Sequence, residues 1–345
     1  MLKVTVIIPH AGGRELLRDC LNSIAESRNA DVETLIVHNG LVDDVDDNTL
    51  KLVDNVQVLR YKRNIGFAAA CNRGVEAAST DYVFLLNNDA IVEPETIGVL
   101  AEKLASEDDL SACQPKILSL IRPGMFDYSS AAGGEIDRYG YPFACGRVFD
   151  TIEKDTGQYN QEREIFWGAG AALMIRREHY IRAGGLEERF FAHMEEIDLQ
   201  WRFHLMGYRI ASVPSVVACH RGAVTIKEGS FGKYYLNHRN GLAMLFRNYS
   251  VKNILKILPV RLALDLVLVI YSIFKADFVR ARAVLSAIIW FMLSLHYLIG
   301  SRRQVQKLRV VQDGQIEKHI FPHSVVWLYF VKKIKTWSDL MAFRA

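Results

Sequence analysis

Tyr82-Val83-Phe84-Leu85-Leu86-Asn87-Asn88-Asp89 is the stretch on which the fold turns. Five apolar or aromatic residues with no helical period read as a strand buried on both faces, and the polar triplet ends it. Upstream, Val4–Ile8, Thr34–Val37 and Val56–Leu59 have the same short, β-rich character. Glu15–Ala25 and Glu93–Leu104 instead show apolar residues at helical spacing, the second with Pro94 near its first turn. This alternation predicts an α/β fold, a mainly parallel sheet with helices on both faces. Ligands of such sheets collect outside the carboxyl ends of the strands, so Asn87, Asn88 and Asp89 are the first candidates for chemistry.

Beyond that strand, Phe126–Gln161 is rich in Gly, Tyr and Asp and reads as a loop-rich excursion with a hairpin near Tyr139-Gly140. Phe166–Ile175 reads as a strand, Arg177–Ala183 and Met194–Met206 as helices, and Arg209–Val213 and Val216–His220 as strands around Pro214. From about Tyr234 the pattern becomes helical without strands. The expected domains are therefore 1–235, carrying the sheet, and 236–345, a helical C-terminal region.

The charge divides along the same line. The whole chain of 345 residues carries a net +3, but residues 1–251 sum to −7 and residues 252–345 to +10. An acidic body with a basic tail suggests that the tail meets an anionic surface. Ala283–Ile299 is uncharged and apolar all round, yet shorter than the about 20 residues that span a bilayer. It is flanked by Arg280 and Arg282 on one side and Arg302, Arg303, Lys307 and Arg309 on the other. Basic flanks on both sides favour a helix lying in the membrane interface over a spanning one. A soluble homodimer interface is the remaining alternative. The preceding Ile254–Phe274 carries Arg261 and Asp265 at i,i+4, a poor lipid-facing pair. Five scattered cysteines without a C-x-x-C pair, and an N-terminus that reads as a strand rather than a signal peptide, place the expected chain in a reducing, cytoplasmic setting. Half the residues are hydrophobic, which excludes a disordered or fibrous chain.

Asp89 at a strand end suits a hard divalent cation, Mg²⁺ or Mn²⁺, although Asn-Asn-Asp also serves simply as a turn. Glu195-Glu196-Ile197-Asp198 opens a helix whose dipole favours acids, and Asp198 pairs with Arg202 at i,i+4. That pairing leaves a glutamate over, free to face a cleft as a general base. His220 ends an apolar strand, and Arg221 beside it can neutralise a phosphate. Asn64-Ile65-Gly66-Phe67-Ala68-Ala69-Ala70-Cys71-Asn72-Arg73-Gly74 joins a strand to a small-residue helix, with Asn64 as a cap and Gly66 opening backbone N–H groups to a ligand. Neither a Walker loop nor G-x-G-x-x-G is present, so kinase and dehydrogenase readings fall away.

Taken in order, these segments resemble family 2 of the inverting glycosyltransferases, in its rhamnosyltransferase-like branch. The resemblance runs from Val6-Ile7-Ile8-Pro9 through Asn64–Gly74, Leu85–Asp89, Gly168–Arg177 and Gly184–Phe191 to Glu195–Leu199, Arg202, Gly207 and His220. It implies a GT-A fold that binds a nucleotide-sugar at the strand ends. Asp89 then matches the last acid of a D-x-D-like metal motif, and His220 the C-terminal metal-site histidine. Glu196 stands where the family has an aspartate general base, with Glu195 as a substitute. The residues implied to line the donor are Pro9, His38, Asn39, Asn64, Gly66, Phe67, Asn72, Asn87, Asn88 and Arg221. Three departures accompany the match: Asn87 replaces the first acid of D-x-D, His38-Asn39-Gly40 replaces Asp-Asn-Gly, and Pro9-His10-Ala11 replaces Pro-x-Tyr/Phe-Asn.

The expected reaction is an inverting displacement that moves a sugar, best matched by L-rhamnose from dTDP-rhamnose with UDP-hexoses still open, to a hydroxyl of a lipid-linked or polysaccharide acceptor. Its setting is bacterial cell-envelope glycan synthesis at the cytoplasmic face of the inner (plasma) membrane. No nucleic-acid partner is expected. The loop Lys227–Lys233, with Gly229 and Gly232, is a candidate cover for the donor. A catalytically inactive nucleotide-binding scaffold of the same fold is the alternative, and the changes at His38 and Asn87 speak for it.

Overall fold

β1 (Leu2–His10), β2 (Ala30–Asn39), β3 (Val56–Tyr61) and β4 (Tyr82–Leu86) run parallel in the order β3-β2-β1-β4. Alternation along β1 explains why both faces are covered. Val4, Val6 and Ile8 pack with Leu17 and Leu21 of α1 (Arg14–Ala25) and with Leu100 and Leu104 of α4 (Thr96–Ser106). Ile7 points the other way, into the core shared with Ala68 and Cys71 of α3 (Phe67–Ala77). α3 lies so close that a Cβ on Gly74 would fall 2.3 Å from Ile7 Cγ2. The one-turn α2 (Asp47–Leu50) precedes β3. These positions come from a computed structural model that describes residues 1–40, 45–222 and 229–344.

The second half of the sheet mixes directions. β12 (Ala172–Arg176) lies antiparallel between β4 and β6 (Leu110–Ser119), and β6 pairs parallel with β13 (Arg209–His220). β11 (Arg163–Glu164) closes the edge, and the short β5 (Ala90–Val92) pairs with the last residues of β13, setting Ala90 opposite His220. The expected mainly parallel sheet with helices on both faces is present. α5 (Arg177–Arg182) follows β12 directly, and α6 (Glu195–Leu205) precedes β13.

Three local expectations need correction. The strand expected over Phe166–Ile175 is confined to β12, because the Gly168 and Ala169 N–H groups donate to the side chains of Gln200 and of Gln114 and Ser130 instead of to a neighbouring strand. The two strands expected around Pro214 are one, β13, with a register shift between Val213 and Val217 that absorbs the proline. The loop-rich excursion contains a four-stranded antiparallel sheet, β7 (Gly134–Ile136), β8 (Pro142–Ala144), β9 (Arg147–Val148) and β10 (Thr151–Ile152). Tyr139-Gly140 does sit in the β7–β8 turn, where Gly140 takes φ +75°.

Helices follow: α7 (Phe231–Asn248), α8 (Val251–Phe274), α9 (Phe278–Leu293), α10 (Leu295–Lys307), α11 (Asp313–Ile316), α12 (Val325–Phe330) and α13 (Trp337–Met341). The uncharged run Ala283–Ile299 is not one helix. It breaks at Ser294, and α9 and α10 meet at 73°. α8 is long enough, at 24 residues, to cross a bilayer. Its Arg261 and Asp265 are buried and paired at 3.1 Å, turned inward against His238, Tyr139 and Tyr141. Leu266, Val267, Ile270, Ile273 and Phe274 face outward instead. α12, α13 and Phe321 return to cover the small sheet, sharing a core with Phe143 and Val148.

Candidate active site

Asn87, Asn88 and Asp89 leave the carboxyl end of β4, and the Asn87 N–H donates to Ala171. β5 then brings the strand end against β13, so Asp89 Oδ1 lies 3.2 Å from His220 Nε2. Asn87 Nδ2 lies 3.2 Å from the same ring nitrogen. His220 Nδ1 faces Asp127 Oδ1 at 3.1 Å, and that oxygen also accepts from the Ser129 backbone N–H and hydroxyl. The imidazole is thus held in line between two buried carboxylates. Burial alone would lower its pKa, but the hydrogen bonds to Asp127 and Asp89 raise it to about 10. Among the described residues no three His, Cys, Asp or Glu converge on one point as a finished metal centre. The donor chemistry nevertheless fits a hard divalent ion: Nε2 and the Asp89 carboxylate face one another, while Asp127 fixes the ring from behind, as metal-site histidines are held.

The second acidic group is shaped by strain. Phe191, His193 and Met194 all take positive φ (66°, 70° and 70°) immediately before α6. This turn persists because Asn240 of α7, fully buried, donates to the carbonyls of Phe190, Ala192 and His193 at 3.1, 3.0 and 2.7 Å. Arg239 adds bonds to the Arg189 and Phe190 carbonyls. The turn separates the two glutamates. Glu195 is buried toward Cys71, and burial with the neighbouring Glu196 charge pushes its carboxyl well up. Glu196 is only partly covered, and burial raises it to about 7. Each keeps one buried oxygen without a partner among the described residues. Nearby, burial and Lys233 lower His193 to about 4.

The donor-side residues fall into unlike groups. Asn39 and Asn64 hold each other and the loop: Asn39 donates to Asn64 Oδ1 and the Gly66 carbonyl, and their amide oxygens accept from Ile65 and Gly66 N–H. His38 is buried beside His10, and Asn88 contacts His10 and the Gly12 carbonyl just beyond Pro9. Gly66 and Phe67 do not leave the α3 N-terminus open as expected. The Phe67 and Ala68 N–H groups donate to the Phe191 carbonyl, and a Cβ on Gly66 would meet Phe191 Cδ2 at 2.6 Å. The glycine makes room for Phe191. Asn72 is equally committed, bonding Leu186 through both amide atoms and also Glu188 and Tyr180. Arg221 is exposed, and only its backbone N–H reaches Asp89.

Residues 223–228 lie outside the described residues, including the first two of the expected cover Lys227–Lys233; Gly232 belongs to α7. Sequence reasoning missed Asp127 and Asn240. Asp127 carries one local signal, the Asx turn to Ser129, but only the pairing of β6 with β13 brings it to His220. Asn240 is one of three asparagines in the α7 pattern, and nothing local sets it apart from Asn237 or Asn248.

Residues 5–126 match Glycosyl transferase family 2. Over that stretch, about a third of its length, the chain is similar to family 2 glycosyltransferases. The chain is 25% identical to an N-acetylglucosaminyl-diphospho-decaprenol L-rhamnosyltransferase of Mycobacterium tuberculosis, over 71% of this chain and 84% of the relative. It is 24% identical to the O-antigen biosynthesis protein RfbC of Myxococcus xanthus, over 69% of this chain but 19% of that longer protein. Its fold is similar to that of GalNAc-T7 solved with UDP, GalNAc and Mn²⁺ (TM-score 0.57, 14% identity, 73% of this chain and 49% of that one). It is also similar to mannosyltransferase PcManGT of Pyrobaculum calidifontis solved with GDP-Man and Mn²⁺ (TM-score 0.50, 15% identity, 92% and 86%). The chain spans about half the length of the first of these structures. The chain thus shares the GT-A fold of these structures, with an apolar helix, α8, added at its C-terminal side.

Proposed function

We propose that the chain moves a sugar from a nucleotide-sugar to a hydroxyl of a lipid-linked or polysaccharide acceptor, in a single inverting displacement. The observation that carries this is the pairing, at the strand ends of a GT-A sheet, of the Asp89–His220–Asp127 line with a partly covered Glu196 whose pKa of about 7 suits a general base. Glu196 accepts the proton of the acceptor hydroxyl as that oxygen attacks the anomeric carbon. Glu195 is buried, and burial with the Glu196 charge pushes its carboxyl up, which favours its neutral form beside the base. Asp89 and His220 would hold Mg²⁺ or Mn²⁺, which supplies charge stabilisation for the departing diphosphate. Arg221, exposed beside Asp89, would add a positive charge there. The mycobacterial relative supports L-rhamnose as the sugar and a decaprenyl-diphosphate-linked N-acetylglucosamine as the acceptor, with dTDP as the carrier that the sequence resemblance implies. UDP- and GDP-linked hexoses are the competing donors.

The outward face of α8 supports work at a membrane. Its charged pair is buried, and no charge faces outward between Lys256 and Lys275. The helix therefore lies on the cytoplasmic leaflet, with residues 236–345 as the attaching region and 1–235 as the transferring one.

A thermal-shift panel of dTDP, UDP and GDP with and without Mn²⁺, followed by release of nucleoside diphosphate from the matching sugar donor, tests the reading. One nucleotide should stabilise the protein more with Mn²⁺ than without it, and its donor should turn over. Binding without turnover would make the chain a nucleotide-binding scaffold instead.

A further inference from the structure

Arg147 is 6% exposed, yet its guanidinium makes no hydrogen bond or ion pair with any described residue, and its Nε is buried without a partner. Its one contact of note is the Tyr128 ring, 4.8 Å from its Cζ. Burying a cation without an acid is costly, and the usual solution is a partner within reach. The acids whose charge it feels are Asp127 and Asp150. Asp127 is already committed to His220 and Ser129, and neither acid lies within ion-pair distance. No acid among the described residues supplies its counter-charge, which leaves the guanidinium open to an anion.

The surroundings say which anion. Tyr128 follows Asp127 directly, and Lys233 Nζ from the first turn of α7 lies 4.9 Å from the same ring. Lys233 is also near enough to His193, two residues before Glu195, to lower its pKa. On its far side this cluster continues to the membrane-facing helices. Arg280 donates to the Tyr234 hydroxyl at 2.6 Å, and the Arg282 guanidinium lies 4.7 Å from the Phe231 ring. Both arginines stand in the first turns of α9, directly after the exposed tip formed by Phe274, Phe278 and Val279 (85%, 65% and 46% exposed). One path thus leads from an apolar tip, past cations, to the strand ends where the donor reacts.

We propose that Arg147 and Lys233, gathered on Tyr128, bind the diphosphate of a prenyl-linked acceptor whose tail lies at the α8–α9 tip and whose sugar reaches Glu196. This rests on the reading of the chain as a transferase to lipid-linked acceptors. A diphosphate could also come from the nucleotide donor. Continuity with the apolar tip favours the acceptor, because a nucleoside diphosphate has no apolar tail to place there.

The test uses the full chain with phosphatidylcholine vesicles carrying a prenyl-diphospho-N-acetylglucosamine, and separately the nucleoside diphosphate that the thermal-shift panel selects. Arg147→Gln should raise the KM for the vesicle acceptor on the order of tenfold or more, and Lys233→Gln by less. The nucleoside diphosphate Kd should stay at the wild-type value, and the Tm of Arg147→Gln should equal or exceed wild type, since an unpaired buried charge is removed. Unchanged acceptor KM in both variants would overturn the subsite and leave the transferase reading standing. Loss of nucleoside diphosphate affinity instead would assign the cluster to the donor and overturn the proposal. A wild-type protein that transfers only to phosphate-free acceptors would remove the lipid-linked reading, and the subsite with it. Should Arg147→Gln fold poorly, Arg147 is a packing residue, and the KM of Lys233→Gln alone decides against or for the site.

Discussion

α6 carries two buried acidic regions one turn apart, and they are built in opposite ways. Asp198, fully buried, is paired with Arg202 at 3.0 Å and Arg247 at 3.3 Å, and accepts a hydrogen bond from Asn248 at 2.8 Å. Arg247 in turn reaches Glu187 at 2.9 Å. At the N-terminal end, Glu195 and Glu196 each keep an oxygen without a partner among the described residues, and burial pushes both carboxyls up. The closed network ties α6 to α7. The open pair is the one for which we propose proton exchange. Pairing a buried acid secures structure, whereas withholding the partner makes it reactive.

The comparison can be broken in order of effect. Glu196→Gln should lower transfer by about 10²–10⁴-fold while nucleoside diphosphate binding stays close to wild type, as single-turnover assays and calorimetry will read. Wild-type turnover would move the base to Glu195 or elsewhere. At the closed end, Asp198→Ala strands Arg202 and Arg247 together and should cost about 3–5 kcal/mol in urea unfolding. A loss under 1 kcal/mol would mean that the network is ornamental.

Asn240→Ala frees three carbonyls of the strained turn. It should cost about 1–3 kcal/mol of stability and lower kcat more than it raises KM, because it loosens the base without touching the donor. Equal kcat in a destabilised variant would make Asn240 purely structural. The smallest effect is on pH. kcat/KM should rise with pH through about 7 as Glu196 loses its proton. Its raised pKa also means that Glu196 contributes stability that is full below its ordinary value of 4.5 and is lost as pH rises through about 7. In Glu196→Gln that part of the decline should vanish from pH-dependent unfolding. An identical pH profile in both proteins would deny the raised pKa.

Much of this was legible in the chain. The β4 stretch announced both the sheet and the polar edge where Asn87 and Asp89 meet His220, because a fully buried strand has a local signature and the place of its carboxyl end follows from topology. Asp89 and His220, 131 positions apart in sequence, could be nominated because each ends an apolar run. Gly66 misled the reading: a glycine before a helix looks the same whether it admits a phosphate or, as here, the Phe191 side chain. The small sheet of β7–β10 was hidden by strands of two or three residues, too short to carry a period.

By itself, then, the sequence determined the α/β order, the polar carboxyl end of β4, the carboxylates at the start of α6 and the unlike charge of body and tail, because each is written in local spacing or composition. Only the tertiary structure decided that Asp127 backs His220, that Asn240 of α7 holds the turn before Glu195, that the Arg261–Asp265 pair turns inward, and that Arg147 is buried with no acid paired to it among the described residues. Those depend on partners far apart in the chain, and burial, which sets whether a charge is quiet or reactive, has no value until the chain has closed around it.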